Sequence, residues 1–338
     1  MNYDTVVFIG RFQPFHNAHL EIIKKALEQT DRLVILIGSS FQPKTYKNPW
    51  SFDERKEMIL SSLDIKEKKE IHILPLMDSI HNEQAWVVRV QEAVVSVTTP
   101  DDRVAIIGHQ KDSSSYYLNM FPQWDFIDVE LQETIHATDI RDLYFRDNVN
   151  LGYLSNIVPE AVYEFLKRNS YPYLYDQIVK ERKFIENYRK QYSHLAYAPT
   201  FVTTDAIVLV AGHVLLIERK AEPGKHLWAL PGGFLNADTD KSLKDAMVRE
   251  LKEETNIKVP VPVLLGSITD NKVFDAIGRS TRGRTITHAF KIELADRTLP
   301  KVRAGDDAGA CAWIPIGLLN PEMIFEDHYE IIQHFVGI

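Results

Sequence analysis

The stretch Val6 to Leu20, VVFIGRFQPFHNAHL, constrains the fold of this 338-residue chain more than any other. Val6 to Ile9 are apolar and largely β-branched, as in a buried strand, and Gly10 lets the chain turn tightly after it. Pro14 delays helix formation until His19-Leu20-Glu21-Ile22-Ile23 opens a helical spacing. Strand, tight loop and helix start therefore follow in one unit. His16 and His19, three apart, can turn their imidazoles the same way, beside amide N–H groups that lack intrahelical partners. Such a helix start is suited to holding phosphates.

The chemistry that fits is displacement at a nucleotide α-phosphate, where positioning and charge stabilisation carry the rate. GRFQPFHNAH resembles the GRFxPxHxGH signature of nucleotidyltransferases that move adenylyl or cytidylyl groups without a covalent intermediate. Ala18 stands where glycine is usual, the smallest available change. The resemblance implies an ATP site built from Gly10, Arg11, Phe12, His16 and His19, with Gly108 beside it.

Downstream, Arg32–Gly38, Ile71–Leu74, Arg103–Gly108 and Phe126–Val129 read as short apolar strands, separated by helical patterns starting near Ser51 or Asp53 and running from Ala85 to Val97. The alternation predicts an α/β fold, a doubly wound parallel sheet with ligands beyond the carboxyl ends of its strands. Gly10, Gly38 and Gly108 fall at those ends. Ile135-His136-Ala137-Thr138-Asp139-Ile140-Arg141 resembles the closing ISxTxIR-type motif, which implies that Thr138 and Arg141 hold the triphosphate. Asn82 and Trp86, with Asn48-Pro49-Trp50 and Glu54-Arg55, are similar to archaeal-type nicotinamide mononucleotide adenylyltransferases. There a tryptophan stacks on the nicotinamide and an asparagine reads its amide. His109-Gln110-Lys111-Asp112 follows a strand-ending glycine and is expected to border the adenine.

A β-rich pattern begins near Pro199 with a hairpin, Ala206–Val210 and Val214–Ile217, separated by Ala211-Gly212-His213. Leu230-Pro231-Gly232-Gly233-Phe234 then leads into a helical run from Ser242 to Ile257. Glu250, Glu253 and Glu254 share one face of that helix, and their mutual repulsion would be offset by a hard divalent cation bridging to a pyrophosphate. The run resembles the Nudix box, with Arg249-Glu250-Leu251-Lys252-Glu253-Glu254 as its core. Lys241 replaces the upstream glutamate on a longer loop that carries Asp238 and Asp240, and Asn256 replaces the terminal glycine. Arg279–Thr285 resembles the RGR segment of Nudix proteins acting on ADP-ribose, which implies Gly232, Gly233, Arg282 and Arg284 as its contacts. Asp306-Asp307 precedes the last strand of such a sheet, and a catalytic role for either is left open.

The expected organisation is a nucleotidyltransferase domain over 1–170, a helical linker over 171–198 and an α+β Nudix domain over 199–338. A net charge of −8 argues against nucleic acid as a partner, and the single Cys311 suits a reducing cytoplasm. No apolar run reaches membrane-spanning length.

The resemblance covers nearly the whole chain: it is similar to bacterial fusions of an archaeal-type nicotinamide mononucleotide adenylyltransferase with a Nudix ADP-ribose pyrophosphatase. It implies ATP, nicotinamide mononucleotide, NAD and ADP-ribose as ligands, with catalysis by His16, His19, Arg141, Arg249, Glu250 and Glu254. Mg²⁺, or Mn²⁺ in its place, would be bound by Glu250, Glu253 and Glu254. Two alternatives stay open, another phosphorylated acceptor for the transferase and a Nudix domain that senses ADP-ribose without cleaving it. Homo-oligomerisation is open as well.

Overall fold

Strand β1 (Thr5–Gly10) is covered on both faces: Val6 and Phe8 join one cluster of buried side chains, Val7 and Ile9 another. A strand buried this way sits inside a sheet with helices on each side. In the computed structural model, which describes residues 2–64, 69–110, 113–131, 136–146, 151–170, 173–295, 297–305 and 308–337, β1 has that position. After β1 come α1 (Asn17–Gln29), β2 (Arg32–Ile37), α2 (Phe52–Ser61), β3 (Glu70–Pro75), α3 (Glu83–Val95), β4 (Val104–Gly108), β5 (Asp125–Asp128), α4 (Ala137–Tyr144) and α5 (Glu160–Arg168). The sheet is parallel throughout, in the order β3-β2-β1-β4-β5. Ile22 and Ile23 of α1, Met58 of α2, Ile140 of α4 and Phe165 of α5 fill one core, and Val87, Val90 and Val94 of α3 fill the other. The strand order reverses between β1 and β4, which opens a crevice at their carboxyl ends.

The chain divides into two units, Met1–Val179 and Lys180–Ile338, and helix α6 (Tyr173–Lys190) runs from one into the other. The second unit contains β6 (Thr200–Val210), β7 (His213–Arg219), β8 (Trp228–Ala229), β9 (Gly232–Phe234), α7 (Leu243–Thr255), α8 (Val261–Gly266), β10 (Ile268–Phe274), β11 (Arg284–Glu293), β12 (Ala308–Pro315) and α9 (His328–Val336). Its seven-stranded mixed sheet runs β10-β11-β6-β7-β12, with β8 on β7 and β9 on β6. Strand β6 is parallel to β11 and antiparallel to β7. Ala211 and Gly212 alone form the hairpin turn, both at positive φ, and His213 pairs with Val210 as the first residue of β7.

Alternation again separates two cores. Ala206, Val208 and Val210 of β6 pack with Met247 and Leu251 of α7, whereas Ile207 and Leu209 pack with Ile331, Ile332 and Phe335 of α9. The segment after Asn320 is therefore a layer of the fold. Among the described residues no helix is long and apolar enough to cross a membrane.

Candidate active sites

A cleft of about 320 Å³ lies at the reversal point of the first sheet, and Gly10, Arg11, Phe12, His16, His19, Gly108, Thr138 and Arg141 all line it. The rings of His16 and His19 stack with centroids 3.6 Å apart, and His19 also meets the edge of Phe12 at 4.8 Å. The His16 amide donates to Nδ1 of His19 at 3.3 Å, which leaves the proton of a neutral His19 on Nε2 as a donor. Ala18 is buried in the same wall, so the small residue there preserves the close approach expected of glycine.

Arg141 is 6% exposed, yet among the described residues its charge meets no carboxylate at hydrogen-bond distance. Nη1 donates to the Gln13 carbonyl at 2.7 Å and Nη2 to Thr138 Oγ1 at 3.1 Å, while Nε is buried with no hydrogen-bond partner among the described residues. Burial, and then the charge of Arg11, push its pKa down to about 10. A polyphosphate in the cleft would supply the missing acceptor and the missing negative charge.

Two side chains outside the expected set hold these loops. Gln13 and Trp50 exchange two hydrogen bonds, Nε2 to carbonyl at 2.9 Å and amide to Oε1 at 3.1 Å. The fully buried Arg55 donates to the carbonyls of Arg11 (2.7 Å), Gly38 (2.6 Å) and Ser39 (3.2 Å), stapling the ends of β1 and β2. Its place beside Glu54 was visible in the sequence, but its partners are backbone carbonyls with no sequence signal. His109 lines the cleft and pairs Nδ1 with the Val129 carbonyl at 2.8 Å. Lys111 and Asp112 lie outside the described residues.

Asn82 and Trp86 are placed differently. Asn82 caps α3, its Oδ1 accepting from the Ala85 amide at 3.1 Å, and neither residue is among those lining the cleft. Half-buried Trp86 stands edge-on to Tyr117 at 6.0 Å, and Tyr117 does line it.

In the second unit, Gly232 and Gly233 allow a contact that no side chain would permit. A Cβ on Gly232 would lie 2.1 Å from the Thr204 carbonyl oxygen, and one on Gly233 would lie 2.5 Å from the Glu250 carboxylate. The Gly232 amide donates to Glu254 Oε2 at 2.9 Å. Burial pushes the Glu254 carboxyl up to about 8 against that hydrogen bond, with the nearby Glu250 adding to the rise; burial also raises Glu250.

Arg249 modifies the expected acidic cluster. Its Nη1 donates to both Glu250 Oε1 (2.8 Å) and Glu253 Oε2 (3.0 Å), so part of the repulsion assigned to a cation is already relieved by a guanidinium. Glu253 remains 60% exposed, and among the described residues no three acidic, histidine or cysteine side chains are gathered into a metal cage. Asp240, on the long loop, binds Arg249 and is held well below the usual carboxylate range by it. Asn256 caps α7 in the left-handed conformation, as its glycine-like position predicts. Asp306 and Asp307 lie outside the described residues.

Glu250 and Glu254 fit a divalent cation: both are hard oxygen donors whose charged forms are opposed by burial, a cost that a bound cation removes. Arg282 lies 5.0 Å over the Phe234 ring, and Arg284 donates to the Asp275 carbonyl at 2.5 Å. Arg219, at the end of β7 and 4.0 Å over the Phe325 ring, faces Glu254 and Arg282 and had no motif to reveal it.

Residues 7–143 match the cytidylyltransferase-like family and residues 199–335 the NUDIX domain. The chain is 37% identical over 177 residues to a nicotinamide/nicotinic acid mononucleotide adenylyltransferase of Acinetobacter baylyi, covering 52% of this chain and 92% of that one. It is 34% identical over 160 residues to an ADP-ribose pyrophosphatase of Methanocaldococcus jannaschii, covering 47% and 83%. A crystal structure from Francisella tularensis, described as a bifunctional NMN adenylyltransferase/ADP ribose pyrophosphatase complexed with AMP and a Mn ion, superposes with a TM-score of 0.90. It shares 38% identity, with 99% of each chain covered. With a phosphate-seeking cleft in one unit and a half-buried acidic pair beside a glycine turn in the other, the chain belongs to the family of bifunctional NMN adenylyltransferases/ADP-ribose pyrophosphatases.

Proposed function

We propose that the two activities of this family divide between the two units. In the first, an oxygen of the nicotinamide mononucleotide phosphate attacks the α-phosphorus of ATP, the bond to the β-phosphate breaks, and NAD and pyrophosphate result. Arg11 and Arg141 hold the triphosphate, Thr138 orients Arg141, and the Nε2–H of His19 with His16 stabilises charge as it moves onto the leaving pyrophosphate. The unpartnered Nε of buried Arg141 is the observation that carries this assignment.

In the second unit, water attacks the diphosphate of ADP-ribose and yields AMP and ribose 5-phosphate. A bound divalent cation supplies polarisation of the diphosphate and a more acidic water, and Glu250 and Glu254 would hold it, with Glu253 near. Mg²⁺ is the expected cation and Mn²⁺ the alternative. Arg249 keeps Glu250 oriented, the Gly232 amide keeps Glu254 oriented, and Arg219 and Arg282 supply positive charge for the diphosphate. A cytoplasmic setting, in which both nucleotides are made and Cys311 stays reduced, suits the pair.

Incubating the whole chain with ATP, Mg²⁺ and nicotinamide mononucleotide, then separately with ADP-ribose, and weighing the products by mass spectrometry tests the reading. NAD in the first mixture and AMP with ribose 5-phosphate in the second are the expected products. Absence of either removes that assignment.

A further inference from the structure

Four consecutive residues at the start of α9 each grip a loop of the hydrolase site. The Phe325 amide donates to the Trp228 carbonyl at 2.8 Å. Glu326 Oε1 accepts from the Thr281 amide at 2.9 Å. Asp327 and Arg279 form a doubly hydrogen-bonded ion pair, 2.8 and 2.9 Å, with both side chains buried. His328 Nδ1 accepts from the Leu230 amide at 2.9 Å and is itself buried. Phe325 and His328 thus hold the Trp228–Gly232 segment, and Glu326 and Asp327 hold the arginine-rich turn that carries Arg282.

The next links lead to the acidic pair. Leu230 is followed by Pro231, whose carbonyl accepts from the Ala206 amide at 2.8 Å, and by Gly232, whose amide binds Glu254. The carboxylate of Glu254 therefore rests on a backbone segment that β6 and β7 hold through their ladders and that a side chain of α9 holds at Leu230.

We propose that His328 is a positioning residue for the hydrolase: its Nδ1 fixes the Leu230 amide, and through Gly232 fixes the carboxylate of Glu254 where the cation is bound. The inference rests on the assignment of hydrolysis to the Glu250–Glu254 side. Removing the acceptor leaves a buried amide without a partner, and the segment moves to find one. Asparagine places a carbonyl oxygen where imidazole Nδ1 stands, whereas leucine keeps the bulk and deletes the acceptor.

The test compares wild type, His328→Leu and His328→Asn as full chains. In each, the half-saturating Mn²⁺ concentration for ADP-ribose hydrolysis, the rise in melting temperature produced by Mn²⁺ and the adenylyl transfer rate are measured. A merely structural loss lowers the active fraction and leaves half-saturation by Mn²⁺ unchanged. The expected result is a roughly tenfold rise in half-saturating Mn²⁺ for His328→Leu, a smaller melting shift, and recovery to within about threefold in His328→Asn, with transfer unaltered in all three. Unchanged half-saturation in His328→Leu, or an equal rise in both variants, overturns the proposal. If His328→Leu does not fold, His328→Gln replaces it, since its acceptor sits one bond farther out. Gln is then expected to need more Mn²⁺ than Asn, and equal requirements overturn the proposal. A wild-type chain without hydrolysis would instead refute the underlying assignment.

Discussion

Arg249 holds Asp240 through two nitrogens, Nε to Oδ1 at 2.9 Å and Nη2 to Oδ2 at 2.8 Å, while its Nη1 reaches Glu250 and Glu253. One guanidinium thus ties the long loop after Phe234 to the acidic face of α7. Both oxygens of Asp240 accept from Arg249, so this aspartate holds the guanidinium beside the acidic face.

Asp240→Asn keeps the shape of that side chain and deletes its charge, so Arg249 is left to compete more strongly for Glu250. ADP-ribose hydrolysis should fall by about tenfold while adenylyl transfer stays within experimental error, as measured by steady-state rates on one preparation. Wild-type hydrolysis in the variant would mean that the fork between Arg249 and Asp240 only decorates the surface.

Trp86→Ala removes a ring that packs against buried Phe121 and against Tyr117, which lines the first cleft. Titration calorimetry with each ligand should show nicotinamide mononucleotide binding weakened about tenfold more than ATP binding, because Tyr117 loses the ring that backs it on the cleft wall. Equal losses would make Trp86 a packing residue.

Glu181 supplies a pH signature. Burial first, then the charges of Glu222 and Glu326, raise its carboxyl from 4.5 to about 8. A carboxyl whose folded pKa is raised retains its proton in the folded state after the unfolded chain has lost it. Stability therefore falls as pH rises from about 4.5 to about 8, and the loss levels off above that. Melting temperatures of wild type and Glu181→Gln between pH 5 and 9 should diverge in favour of the variant up to about pH 8. Parallel curves would place the ionisation elsewhere.

The sequence revealed the elements whose signals are local. Val6–Ile9 announced a buried strand because both of its faces are apolar; the helix start read at Ser51 or Asp53 is capped by the Ser51 hydroxyl, and the run read from Ser242 is capped by that serine. The GRFQPFHNAH and TDIR segments, expected to act together, line one cleft although Arg11 and Arg141 stand far apart in the chain, since each carries its own motif. What stayed hidden depends on pairings between distant residues that single positions do not encode. The Arg249 bridge across Glu250 and Glu253, the staple from Arg55 to three carbonyls and the grip of α9 on Leu230 are all of this kind. The three glutamates do lie on one helix, but their spacing could not disclose that a neighbouring arginine already hydrogen-bonds two of them.

Two separate sites in one chain require two separable activities, and a crossed measurement tests that separation most directly. Both activities are assayed on full-length His19→Ala and Glu254→Gln. His19→Ala should lose adenylyl transfer by at least about a hundredfold and keep hydrolysis within a few-fold. Glu254→Gln, which swaps a half-buried carboxyl for its neutral isostere, should lose hydrolysis by orders of magnitude and keep transfer. Loss of both activities in either variant, or persistence of the targeted one, would contradict the assignment of the two reactions to His19 and Glu254.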